Sequence, residues 1–201
     1  PWRHGGADVA MDKAARLAAA CARAGYQKLH LDAAAACGGD TLGADGTLAL
    51  DVISRRSAAL CQAAELGAAA AGLPPPWYVI GSDVPPPGGG LSAAAICPTD
   101  PGKLGDTIDA HRQAFQKAGL THAWQRVFAV VVHTGADFSP RVVHPYDARR
   151  VQPLVDRLRQ ETGLVFEAHS TDFQQPEALA RMVSDRFGIL KVGPALTYAM
   201  R

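Results

Sequence analysis

Alternating helical and extended segments predict an α/β protein built on a parallel sheet. Three observations carry that expectation. Apolar residues recur at helical spacing in several runs, and short apolar strands separate those runs. Gly and Pro stand where each helix would stop or start. Of 201 residues 48% are hydrophobic and 19% charged, enough to bury a sizeable core and far from a disordered composition.

Ala10, Ala14, Leu17, Cys21 and Ala24 fall on one helical face, and Gly25 ends that helix. Lys28 to Asp32 follows as a short strand. A Gly- and Ala-rich loop leads to a second helix with Ile53, Leu60, Cys61, Ala64 and Ala68 on one side. Tyr78 to Ser82 is the second strand, and the Pro/Gly-rich loop Asp83 to Gly90 cannot be regular structure. Asp100-Pro101 is a helix start, a capping side chain followed by Pro at the first helical position. Leu104, Ile108, His111 and Phe115 line that helix's inner face. Val127 to Val132 is a buried strand, and the helix after it carries Val151, Leu154, Val155 and Leu158. Leu164 to Ala168 is a strand, Glu177 to Asp185 a helix, Gly188 to Val192 a strand, and Gly193-Pro194 opens a last helix. Strict alternation of this kind fits an open doubly wound sheet or a (β/α)8 barrel. The GxGxxG turn of dinucleotide-binding sheets follows none of the strands. Five strands cannot close an eight-stranded barrel, so a barrel would require about three further units outside residues 1–201.

Twenty Lys and Arg against nineteen Asp and Glu leave a net charge of +1. No basic patch for nucleic acid or anionic membranes stands out, and no apolar run approaches the ~20 residues of a membrane span. The chain opens Pro1-Trp2 with no Met and no visible leader, which suggests an internal segment of a longer protein. Cys21, Cys37, Cys61 and Cys97 show no CxxC spacing, and the expectation is reduced, buried thiols in a cytoplasmic protein.

Function concentrates at the strand ends. Side chains alternate along a strand, so His30 and Asp32 share a face, as do Val131 and His133, Glu167 and His169, and Ile189 and Lys191. Each strand therefore carries an ionisable residue at or near its C-terminal end, where parallel α/β proteins bind ligands. Two polar side chains on one strand face need partners, because an unpaired buried charge is costly; Lys191 can supply one to Glu167. Asp32, Asp83, His133, Glu167, His169 and Lys191 form an oxygen- and imidazole-rich set. It suits a divalent metal such as zinc or an acid/base pocket for a sugar. In such a pocket Glu167, Lys191 and Asp32 would be catalytic, and Asp32, Asp83, His133 and His169 would be metal ligands. Backbone N–H groups at Gly193, Ala195 and Thr197 would make a phosphate site at a helix start. Lone histidines on apolar faces, such as His111, are read as satisfied core residues.

Lys28-Leu-His-Leu-Asp32, Tyr78 through Gly89, Asp109-Ala-His-Arg-Gln-Ala-Phe115, Glu167-Ala-His-Ser-Thr-Asp172 and Leu190-Lys-Val-Gly-Pro-Ala-Leu-Thr197 occur in order along nearly the whole chain. Together they resemble the non-catalytic Z subunit family of class II D-tagatose-1,6-bisphosphate aldolase. The resemblance implies a TIM (β/α)8 barrel, of which residues 1–201 would be one partial domain of about five consecutive units. It also implies a supporting role for a zinc-dependent catalytic Y subunit in galactitol and N-acetylgalactosamine breakdown, with no aldolase activity alone. Related proteins resemble ketohexose 4-epimerases acting on sugars or sugar phosphates, and that is the alternative reading. The sequence departs from the family pattern where Asp83 replaces a usual Glu, Gly90 an acidic residue, and His133-Thr-Gly a Gln-Pro-Gly. Asp32, Glu167, His169 and Lys191 match it.

Overall fold

A computed structural model describes residues 5–84, 96–139 and 141–201. The Gly89 end of the family segment and Gly90 lie outside the described residues. Compact contacts divide the chain into two units, one of residues 1–82 and 107–128, the other of residues 83–106 and 129–201.

The first unit holds helix α1 (Ala7–Arg23), strand β1 (Lys28–His30), helix α2 (Leu50–Ala70), strand β2 (Trp77–Ile80), most of helix α3 (Pro101–Lys117), the short helix α4 (Thr121–Trp124) and the start of strand β3 (Val127–Val132). β1 and β2 are parallel, with Leu29 opposite Tyr78. The expected inner face of α2 is buried throughout, as are Leu104 and the rest of the α3 stripe. Gly25 and Gly119 both take a left-handed conformation just past a helix, at φ 84° and 73°, which glycine adopts without strain. The expected stripe on α1 needs correction. Ala10, Ala14 and Cys21 are half-buried as expected, but Leu17 and Ala24 are exposed, and the fully buried residue of the helix is Ala22, beside the expected line. Alanine on every side leaves the face of such a helix to be chosen by its neighbour, here α2, whose Gly67 lies against Ala19.

His111 in α3 is fully buried, and its Nδ1 donates to the Thr107 carbonyl at 2.8 Å, so it is a core residue as read from its apolar face. It is only half satisfied, since its Nε2 is buried with no hydrogen-bond partner among the described residues. A carbonyl only accepts, which places the ring proton on Nδ1. Burial pushes its pKa down to about 4, the Thr107 bond opposing that only in part. The unfolded chain takes up this proton near pH 6.5, whereas the folded one resists it to about 4. Stability from the neutral ring is thus complete above pH 6.5 and lost on acidification, by about 3 kcal/mol at pH 4. Urea melts from pH 7 to 4 on wild type and His111→Leu should differ by a component of that size. Parallel pH curves for the two would refute it.

The second unit contains the remainder of β3, the hairpin β4 (Asp137–Phe138) and β5 (Val143–His144), helix α5 (Ala148–Leu158), strand β6 (Val165–Ala168), helix α6 (Pro176–Ser184), strand β7 (Phe187–Leu190) and helix α7 (Pro194–Ala199). The expected α5 stripe is buried in full, and Asp147 caps the helix by accepting from Arg149 N. Asp100 likewise accepts from the Gly102 and Lys103 amides at the start of α3. β6 pairs in parallel with β3 and β7, and an irregularity in the β7 pairing falls between Phe166 and Glu167. Along the chain each parallel strand is laid beside the one before it, in the order β1-β2-β3-β6-β7. A doubly wound sheet must reverse direction at a switch point; this order never does, which selects the singly wound, barrel-type alternative. No described helix is long and apolar enough to cross a membrane. All four cysteines are free, but only Cys61 is buried; Cys21 and Cys37 are half-buried and Cys97 is exposed, so uniform burial was too simple an expectation.

Candidate functional site

β6 carries Glu167 into the interior of the second unit, where its side chain has no exposed surface. Parallel pairing sets it opposite Val131 on one side and Ile189 on the other. Two residues on, at the same parity, stands His169, and one residue beyond β7 stands Lys191. Glu167 Oε1 lies 2.9 Å from Lys191 Nζ and 3.0 Å from His169 Nε2. The pairing anticipated from strand parity is therefore present. Burying a carboxylate costs several kcal/mol unless counter-charge and hydrogen bonds offset it, and Lys191 and His169 do both. His169 is nearly covered while the Lys191 side chain is 40% exposed, so the centre has one wet edge. A carboxylate bonded through one oxygen to an ammonium and an imidazole can take and return a proton.

A second cluster in the same unit gathers around Asp83. Its Oδ2 accepts from Thr99 Oγ1 at 2.5 Å, and its Oδ1 lies 3.1 Å from Lys103 Nζ. Burial raises the Asp83 pKa, but the Thr99 and Lys103 hydrogen bonds outweigh it and hold the carboxyl below its ordinary value. Thr99 Oγ1 also accepts the His133 amide at 2.8 Å. Burial lowers the pKa of the His133 ring despite the charges of Asp83 and Asp137, and keeps it neutral at pH 7. Asp137, almost wholly buried, escaped the sequence reading; no strand ends at it, and only Gly135 just before it hinted at a special turn.

These positions correct two expectations. Asp83 and His133 do not join His169 in a common donor set within the unit: Asp83 is committed to Thr99 and Lys103, and His169 turns to Glu167. Glu167 and His169 have donor atoms close enough to share a divalent ion. The amides of Gly193 and Ala195 are not free for a phosphate, because each donates to Asp172 Oδ1 at 2.9 Å. Thr197 is exposed on α7, a helix of six residues. Asp172 lay inside the quoted Glu167–Asp172 segment, but its target is set by a loop conformation that residue types do not announce.

Asp32 belongs to the first unit. It is exposed just past β1, accepts from the Ala34 amide at 3.2 Å, and lines a largely apolar cavity of about 390 Å³ with Val9, Leu17, Cys37, Arg56 and Leu60. Arg56 there is held by Asp40 through two bonds of 2.8 and 2.7 Å, and these keep the Asp40 carboxyl below its usual range.

Comparison with known proteins follows the same residues. The model of the family described as D-tagatose-1,6-bisphosphate aldolase subunit GatZ/KbaZ-like matches residues 1–201. A protein of Agrobacterium fabrum named D-tagatose 6-phosphate 4-epimerase is 44% identical over all of this chain and 47% of its own length. Proteins named D-tagatose-1,6-bisphosphate aldolase subunit GatZ, from Escherichia coli and Shigella flexneri, are 41% and 42% identical with the same coverage. The chain thus spans about half the length of the curated relatives it matches. A crystal structure from Sinorhizobium meliloti, titled a probable tagatose 6 phosphate kinase, superposes on all of this chain and 46% of its own with a TM-score of 0.83 at 39% identity. The fold class is accordingly α/β, a run of about five β/α units of the (β/α)8 barrel type. Matched from its first residue to its last, the chain belongs to the GatZ/KbaZ-like family of D-tagatose-1,6-bisphosphate aldolase subunits.

Proposed function

We propose that this chain supplies the proton-transfer centre of an enzyme that epimerises a ketohexose 6-phosphate of the tagatose type at C4. The observation that carries the reading is Glu167, fully buried and bonded through one oxygen to both His169 and Lys191. A purely supporting domain has little use for such an arrangement, since buried ion pairs contribute little to stability. C4 of a 2-ketose is not itself acidified by the carbonyl, but its hydroxyl is β to it. Removing that proton lets the C3–C4 bond break, its electron pair passing to an enediolate over C1–C3 and leaving C4 as an aldehyde. Rotation of the aldehyde, bond re-formation on its other face and return of the proton to oxygen invert C4. Glu167, relayed by His169, takes and returns the hydroxyl proton, and the Lys191 ammonium offsets the enediolate charge. Were Glu167 and His169 to hold a divalent ion such as zinc instead, that ion would supply a Lewis acid for the carbonyl in place of their proton relay.

The names of the GatZ relatives favour a second reading, support of a catalytic class II aldolase subunit. The two are separable. Full-length protein incubated with tagatose 6-phosphate should yield fructose 6-phosphate, followed by carbon NMR, with metal content measured on the same sample. No interconversion, together with a rise in activity and thermal stability of a co-expressed aldolase subunit, would replace the first reading with the second.

A further inference from the structure

Lys191 lies one residue past the end of β7, where a side chain would ordinarily drift, yet its backbone is held on both sides. Its N–H donates to the Ala168 carbonyl at 2.9 Å, and its own carbonyl accepts from Thr171 N at 3.2 Å and Thr171 Oγ1 at 2.8 Å. Beyond it, Asp172 Oδ1 accepts from Gly193 N and Ala195 N. Every bond comes from the last residue of β6, the strand that carries Glu167, or from the stretch just after it. Thr171 and Asp172 are buried, at 2% and 3% exposure. The loop needs left-handed backbone at two residues that are not glycine, Ser170 at φ 55° and Phe173 at φ 61°. Such conformations cost of order 1–3 kcal/mol each and persist only where surrounding contacts enforce them. Phe173 is anchored by an edge-on contact with Phe138, ring centres 5.4 Å apart.

We propose that Thr171 and Asp172 are positioning residues, fastening the backbone on either side of Lys191 so that its ammonium stays on Glu167. The inference rests on the Glu167–His169–Lys191 centre being the site of proton transfer. It also assigns the amides at the start of α7 to an internal carboxylate, so the phosphate of a substrate must be bound elsewhere.

Three variants of the full-length protein test it: Asp172→Ala, Asp172→Asn, which keeps an acceptor of the same shape, and Thr171→Val, which removes only the hydroxyl. Displacing a reacting group by ~1 Å costs on the order of 10²-fold. Asp172→Ala should therefore lower kcat for 4-epimerisation by about that factor, with KM little changed and an altered pH profile. Asp172→Asn should recover most of the loss. Unchanged kcat and pH profile in Asp172→Ala, or equal damage in Asp172→Asn, would overturn the proposal. Lys191 acetylation by acetic anhydride, read by mass spectrometry, separates this from the fate of the functional reading. If the wild type shows no epimerase turnover, that reading falls, while the fastening of Lys191 still stands or falls on labelling. A several-fold faster acetylation in Asp172→Ala and Thr171→Val supports it, and equal rates refute it.

Discussion

Replacing Glu167 with glutamine in the full-length protein is expected to cut kcat for ketohexose-phosphate epimerisation by about 10²–10⁴-fold, the usual worth of a positioned acid or base, while leaving the fold in place. The substitution preserves shape and one acceptor oxygen but removes the charge. Loss of a partner from a buried ion pair is ordinarily severe because the survivor is stranded. Here the survivor is Lys191, 40% exposed, and it can turn its ammonium to water. Removing a wholly buried charge also relieves its desolvation. These effects oppose each other, so Tm should move by only a few degrees. A thermal melt beside a kcat measurement on one preparation decides the point. If Tm drops by ten degrees or more while the folded fraction keeps its turnover, Glu167 is a structural member of an ion pair and the proton-transfer role is lost.

Elements with long, repeated patterns were legible in the sequence. Leu104, Ile108, His111 and Phe115 form one stripe because a 17-residue helix presents the same face turn after turn. The Glu167–Lys191 pairing was legible for a similar reason: strand parity leaves two directions, and neighbouring parallel strands bring equal faces together. The hairpin of Asp137–Phe138 with Val143–His144 escaped notice because two-residue strands are too short to show alternation. The α1 stripe was right only in part, failing at Leu17 and Ala24, because alanine offers no contrast between faces. The phosphate site at Gly193 and Ala195 failed differently. Helix-start amides attract any anion, and a sequence cannot show that Asp172, 21 residues earlier, arrives there through a loop with two left-handed turns. Asp83 and His133 were correctly placed at strand ends, but Thr99 and Lys103, from the start of α3 and the segment before it, decide what Asp83 binds.

Among substitutions at neutral pH, a large stability effect should come from adding a single methyl group at Gly67. In the middle of a helix, glycine is less favourable than alanine by about 1 kcal/mol, so propensity alone makes Gly67→Ala stabilising. Packing reverses the sign. A Cβ at this point of α2 would press into the Ala19 carbonyl oxygen of α1 and stand 2.8 Å from its Cα. Those are backbone atoms, and no rotamer change can move them aside. α1 and α2 would have to separate, losing contact along a seam lined by small residues. Overpacking of this kind costs typically 1–3 kcal/mol and sometimes more. Because the clash is with backbone, the cost should lie near the upper end of that range, about 3 kcal/mol. That leaves a net destabilisation of about 2 kcal/mol after the propensity gain, or roughly 4–8 °C in Tm for a protein of this size. Gly105→Ala in α3 is the matched control. There the new Cβ meets the Arg157 guanidinium, the far end of a flexible side chain, at 2.9 Å. Arg157 can shift while keeping its bond to Glu161, so Gly105→Ala should be neutral or gain up to about 1 kcal/mol. Denaturant melts should place Gly67→Ala below wild type and Gly105→Ala level with it or above. A Gly67→Ala protein as stable as wild type would mean that α1 and α2 do not approach as closely as their backbones are placed here.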